Sequence, residues 1–195
     1  MVGRPREFDT ESALEAAIDV FWECGYEATS LTELVAAMRI GRQSIYTAFG
    51  SKYGLFLTAL EHYTDCELEL LRPVGRRDAG LQEIIDYFHD RVQSLTADDP
   101  RPGCMLINSI TELAALDEEV TEQGNRYLRR MTRAFSGALR NAIAAGDIEP
   151  TCTPREMAHH LANTAVGLAV QAKGGVSRKN LRGAVRAALA ALSSA

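Results

Sequence analysis

Arg39-Ile40-Gly41-Arg42-Gln43-Ser44-Ile45-Tyr46-Thr47-Ala48-Phe49-Gly50-Ser51-Lys52 is the stretch that decides the reading of this chain. It places one short amphipathic helix, about Arg42 to Ala48, between two breaks. Ile45 and Phe49 stand four residues apart and point one way. Arg42, Gln43, Ser44 and Thr47 point the other way. Arg39-Ile40-Gly41 is a turn that ends an upstream helix, and Gly50 closes the short one.

Upstream, Ser30 and Glu33 have the spacing of a capping box, which predicts a helix start. Leu31, Leu34, Val35 and Met38 form its apolar face. Before it, a helix should start after Asp9 or Thr10 and stop near Gly25, with Leu14, Ala17, Ile18, Phe21 and Trp22 on one face. Downstream, Ser51 caps a helix through Phe56, Leu60 and Tyr63. Helical periodicity continues beyond it, over 81–95, 104–116, 117–145, 155–172 and a last helix from Ser177 or Arg178. Val120, Tyr127, Leu128, Met131, Phe135 and Leu139 form one stripe, and Met157, Leu161, Ala165, Leu168 and Ala172 another. No sustained alternation of β-branched and aromatic residues predicts a strand. The expected fold class is all-α, with about nine helices.

The chain has 195 residues, 46% of them hydrophobic and 24% charged, which excludes a wholly disordered polypeptide. The expectation is a cytoplasmic protein: the N-terminal residues lack the apolar core of an export signal. The stretch 157–172 is free of charge but carries His159, His160, Asn163, Thr164 and Gln171, a poor membrane span. Cys24, Cys66, Cys104 and Cys152 are too widely spaced for a CxxC pair, and reduced thiols are expected. Metal and cofactor sites are not expected. His159 and His160 are neighbours on a helix and diverge by about 100°, so they make no i, i+4 metal pair.

Two short helices joined by a brief turn and braced by a preceding helix are a helix-turn-helix, whose second member enters the major groove of duplex DNA. The net charge of −5 argues against a nucleic-acid partner unless basic residues gather locally. They do: from Leu34 to the residue before Glu61 the charged residues are Arg39, Arg42 and Lys52, all basic. Arg4 and Arg6 add a basic arm before the first helix.

These residues, with Gly25-Tyr26 and Thr29-Ser30-Leu31, resemble the N-terminal domain of TetR/AcrR-family transcriptional regulators over about residues 4–60. Gly103-Cys104-Met105-Leu106-Ile107-Asn108 and Glu112-Leu113 are similar to a segment in one branch of that family. The resemblance implies a helix-turn-helix DNA-binding domain at 1–52 and a helical effector-binding and dimerisation domain at 53–195. It implies a homodimer that binds a palindromic double-stranded DNA operator and is released when a small-molecule effector shifts the fourth helix. Arg42, Gln43, Ser44 and Thr47 would then face bases or nearby phosphates, and Tyr46 and Lys52 would grip the backbone. A dimer of this kind sets two recognition helices roughly 34–36 Å apart. Two positions depart from the family pattern. Arg39 stands where glycine is usual, so either the turn differs or an Arg39–phosphate contact offsets a positive φ. Tyr53-Gly54 replaces a frequent Glu-Ala, which is expected to weaken the start of the fourth helix.

Ligand contacts are expected among Phe88, Met105, Tyr127, Met131 and Phe135, with Asn108, Thr111, His159 and Asn163 as polar orienting groups. Leu161, Leu168, Leu181, Val185, Leu189 and Leu192 are either interior or a dimer face; small residues interleave with them and permit close helix approach. Cys104 is either a buried core thiol or the sensor of an alternative, redox- or electrophile-responsive regulator, since it sits at a predicted helix start near Arg101. An enzyme is not expected: no GxSxG, GxGxxG, P-loop or HExxH pattern occurs. The acidic run Asp117-Glu118-Glu119 suits a helix N-terminus.

Overall fold

The computed structural model describes residues 10–96, 103–150 and 152–192. Among them nine helices occur and no strand: α1 Thr10–Cys24, α2 Leu31–Met38, α3 Arg42–Phe49, α4 Lys52–Leu71, α5 Leu81–Leu95, α6 Met105–Leu113, α7 Glu118–Ala145, α8 Pro154–Lys173 and α9 Arg178–Ala190. The all-α expectation holds.

The ends follow local chemistry. Ser30 caps α2: its Oγ accepts from the Glu33 N–H at 3.2 Å, and Glu33 Oε2 accepts from the Ser30 N–H at 2.7 Å. Thr153 and Glu156 repeat this box at α8, with Pro154 in the first turn, where a missing N–H costs nothing. Asp117 caps α7 through Val120 N–H, and Gly146 ends it in the left-handed region.

The chain forms two compact units, the first running through Tyr63 and the second beginning at Thr64. In the first, α1 and α2 pack together and α3 follows α2. The start of α4 at Lys52 does not end this unit, because Leu55, Phe56, Ala59, Leu60 and Tyr63 are all buried. Phe56 meets Phe21 edge-on at 5.3 Å, and Tyr63 meets Trp22 at 4.7 Å. The second unit is centred on α7, which packs against α5, α6 and α8; α9 covers α5 and α8. Its core contains the stacked pair Phe88 and Phe135, 5.7 Å apart, with Tyr87 edge-on to both. No helix of the described residues is long and apolar enough to cross a membrane.

Candidate nucleic-acid interface

The site is built by fixing one face of a very short helix. Helix α3 buries a single residue, Ile45, which is 0% exposed. That anchor turns Arg42, Gln43, Tyr46 and Thr47 to solvent, while Ser44 and Phe49 are half-buried. The Thr47 hydroxyl donates to the Gln43 carbonyl at 2.8 Å, which fixes its rotamer on the exposed face. Tyr46 is 44% exposed, its ring presented to solvent.

The turn before α3 carries strain. Arg39 has φ 55°, ψ 31°, the only positive φ of a non-glycine residue among those described. A left-handed arginine costs about 1 kcal/mol over glycine. Its side chain is exposed, on the same segment as Arg42.

The turn after α3 is stricter. Gly50, at φ 75°, donates its N–H to the Tyr46 carbonyl at 2.9 Å. Ser51 Oγ then accepts from the Gly54 N–H at 2.9 Å and caps α4. A Cβ at Gly54 would stand 2.1 Å from the Phe49 carbonyl oxygen, inside any tolerable contact. Gly54 is therefore required: it lets α4 approach the end of α3. The expected weakening of the first turn gives way to a packing role.

Lys52 follows directly. Its ammonium lies over the Tyr26 ring, 4.4 Å from the centroid. Tyr26 is itself set against Phe56 at 4.8 Å and Tyr53 at 6.0 Å. Gly25 makes this corner possible with φ 79°, and Thr29 Oγ1 donates to its carbonyl at 2.5 Å. Arg39, Arg42, Gln43, Tyr46, Thr47 and Lys52 thus lie on one short span of backbone, with cations and hydroxyls but no acid between Glu33 and Glu61. Glu33 is committed to Ser30, whose N–H and Oγ hold its carboxyl below the usual range. Such a surface suits a phosphate backbone flanking readable base edges. Arg4 and Arg6 lie outside the described residues.

The second unit places the other named residues less evenly. Phe88, Met105, Tyr127, Met131 and Phe135 are buried in its core. Asn108 is half-buried; Thr111 is exposed and donates to the Asn108 carbonyl. His159 and Asn163 face outward and line a surface groove of about 500 Å³ beside Arg129, Arg133, Arg140 and Arg155. Leu161, Leu168, Leu181, Val185 and Leu192 are buried within the protomer, and Leu189 is half-buried. What α9 leaves outside includes Ala187, Ala190 and Arg186.

Cys104 is 1% exposed and forms the N-cap residue of α6. Gly103 beside it has φ 76°, and a Cβ there would come within 2.7 Å of the Ala169 carbonyl oxygen. Arg101 lies outside the described residues; the cation that reaches Cys104 electrostatically is Arg91. Arg91 is buried on α5 and pairs with buried Glu67 of α4 at 2.8 Å. Glu67 also accepts from the Tyr127 hydroxyl at 3.4 Å. Arg91 Nε and Gln123 Oε1 have no partner among the described residues. Burial pushes the Tyr87 hydroxyl up to about 12, against the pull of Arg91. Burial likewise raises Tyr127. The helical pattern carried a signal for Arg91: it lies seven residues after Ile84 and three after Phe88, on the apolar face of α5.

A buried anchor, an exposed polar face, a capped turn and a poised lysine define a helix-turn-helix DNA-binding protein. A family model described as "Bacterial regulatory proteins, tetR family" matches residues 13–59. One described as "Tetracyclin repressor-like, C-terminal domain" matches residues 80–191. The chain is 30% identical over 187 residues to the HTH-type transcriptional repressor ComR of Escherichia coli (strain K12), covering 92% of this chain and 86% of that protein. It is 34% identical over 148 residues to the uncharacterized HTH-type transcriptional regulator YezE of Bacillus subtilis (strain 168), covering 75% and 76%. Among solved structures, a cysteine mutant of the TetR family transcriptional regulator CifR, complexed with 26-base-pair operator DNA, superposes with TM-score 0.82 at 36% identity. That match covers 97% of this chain and 100% of the other. The protein belongs to the TetR family and is a DNA-binding transcriptional regulator.

Proposed function

We propose that this regulator is a repressor that binds a palindromic operator as a homodimer, and that a small-molecule effector held in the second unit releases it. Residues 1–52 supply the DNA contacts and 53–195 the effector and dimer contacts. The observation that carries the reading is α3: one residue buried and Arg42, Gln43, Tyr46 and Thr47 presented outward. The operator complex of the CifR mutant supports duplex DNA as the partner. The repressor name of ComR supports the direction of control.

In this reading Gln43 and Thr47 meet base edges, Arg42 meets a base or phosphate, and Arg39, Tyr46 and Lys52 grip the backbone. Helix α4 belongs to both units, so an effector that displaces its second half also moves the helix that starts at Lys52. The exposed small residues of α9 suit close approach by a second copy. Binding measured against salt tests the proposal: each phosphate-contacting cation adds about 0.9 to the log–log slope. A moderate slope with two protomers per duplex is the expected result. One protomer per duplex would contradict the dimer.

In a second reading Cys104, at the N-cap of α6 and within electrostatic reach of the Arg91 guanidinium, responds to small electrophiles. A Cys104→Ser protein that binds operator yet ignores iodoacetamide would support it; an unchanged response would end it.

A further inference from the structure

We propose that the second unit carries a separate anion site, a groove between the α4–α5 loop and α7 that takes a small molecule bearing adjacent phosphoryl groups. The groove has a volume of about 390 Å³, within the range of metabolite sites. Arg76 and Arg77 line it from the loop, and Arg130, Arg133 and Arg140 from α7. No carboxylate lines it, although the whole chain is net acidic at −5.

The arrangement is built. Val74 and Ala79 of the loop are each 1% exposed. The Asn141 side chain of α7 donates to the Arg77 carbonyl at 3.0 Å and to the Ala79 carbonyl at 2.8 Å. Those two bonds hold the loop arginines opposite the helix arginines. Gly137, one turn from Arg133 and from Arg140, keeps the floor of the groove free of a side chain.

Ordinary explanations for exposed arginines do not cover these. Arg126, earlier on α7, is paired with Glu119 and Glu122. Arg76 is paired with Asp78, and Arg140 donates to Ser136. Arg77, Arg130 and Arg133 have no carboxylate partner among the described residues. From Gly124 to Gly146 the sequence contains no Asp or Glu, and no basic residue occupies the last turn of α7, so the helix dipole does not account for them. Like charges three residues apart on a helix repel unless a counter-ion sits between them.

The chemistry selects the ligand. Guanidinium forks match phosphoryl oxygens through paired N–H donors, and a concave wall concentrates the field. Adjacent phosphoryl groups supply the several negative charges that the unpaired arginines require. The loop bounds the groove opposite α7, a concavity that suits a small polyanion, although Arg133 and Arg140 also border the neighbouring groove with Arg129 and Arg155.

The test is calorimetric titration of the full-length protein with inorganic pyrophosphate at matched ionic strength. The expected result is saturable binding at one site per protomer. Arg133→Ala should weaken it at least tenfold. Gly137→Leu should do the same by filling the floor, and it should fold, because a Cβ there meets nothing closer than Arg140 Nη2 at 3.9 Å. Arg126→Ala should leave it unchanged, and citrate should bind more weakly. Absence of saturable heat, equal loss in Arg126→Ala, or unchanged binding in Gly137→Leu would overturn the site. Equal binding of citrate would overturn the phosphoryl assignment. Loss of duplex binding in Arg133→Ala without any pyrophosphate heat would assign these arginines to DNA instead. None of these outcomes depends on operator recognition by α3.

Discussion

The Lys52 ammonium lies 4.4 Å from the centre of the Tyr26 ring. A lysine so placed keeps its charge for a phosphate but loses little conformational freedom on binding, because the ring already holds it. Tyr26→Leu should therefore weaken operator binding about two- to fivefold, the equivalent of an exposed cation–π contact of about 0.5–1 kcal/mol. Lys52→Ala should weaken it further and flatten the salt slope by about one unit. In the double mutant, the Tyr26 effect should vanish. Fluorescence anisotropy on all four proteins checks this.

Gly54 should resist even the smallest side chain. Its absent Cβ would overlap the Phe49 carbonyl oxygen, so Gly54→Ala must push α4 from α3. We expect lower thermal stability despite the better helix propensity of alanine, and weaker operator binding. An unchanged melting temperature would show that the turn yields freely.

The buried Arg91–Glu67 pair predicts an asymmetric mutational response. Glu67→Ala leaves a buried guanidinium without its partner and should cost about 3–5 kcal/mol. Replacing both residues with leucine or methionine should recover much of that loss. Chemical denaturation of the single and double variants measures the difference.

Stability should fall in alkali. Tyr87 ionises at about 12 in the folded protein against an ordinary value of 10.0, chiefly through burial. A raised folded pKa gives stability fully present below about pH 10 and lost as pH rises towards about 12. Two pH units correspond to roughly 2–3 kcal/mol. Tyr87→Phe should reduce the slope of stability with pH in this window.

Acid acts on the caps. Glu33 and Glu156 titrate below their usual range, held mainly by N–H or hydroxyl donors of Ser30 and Thr153. Their contribution is present above about pH 4.5 and disappears as pH falls through the depressed values. Glu33→Gln should flatten the acid side of the melting profile.

Much of this was legible in the sequence because local rules governed it. The Ser30–Glu33 spacing placed the start of α2, and Ile45 among polar neighbours oriented α3, while Phe49, expected inward beside it, is only half-buried. Helix α5 was readable from Leu81 to Leu95 for the same reason. Tertiary approach was not readable. Gly54 looked like a weak helix residue, and only its distance to Phe49 reveals a fit. Leu161 and Leu181 have periodicity that suits an interior or an interface equally, and burial places them inside. Arg91 stood on an apolar stripe, but its partner Glu67 is 24 residues away on another helix. The pinned loop opposite Arg130 and Arg133 likewise depends on Asn141 reaching across 62 residues to Ala79.

The proposed mechanism requires the outer face of α3 to read duplex sequence. The direct measurement is the affinity of the full-length protein, at moderate salt, for a palindrome from its own promoter region and for a scrambled duplex of equal composition. The protein should prefer the palindrome by about 10³-fold or more. Gln43→Ala should lose about 1–3 kcal/mol of discrimination at one base pair while retaining binding to the scrambled duplex. Equal affinity for both duplexes, or a Gln43→Ala protein with undiminished preference, would contradict it.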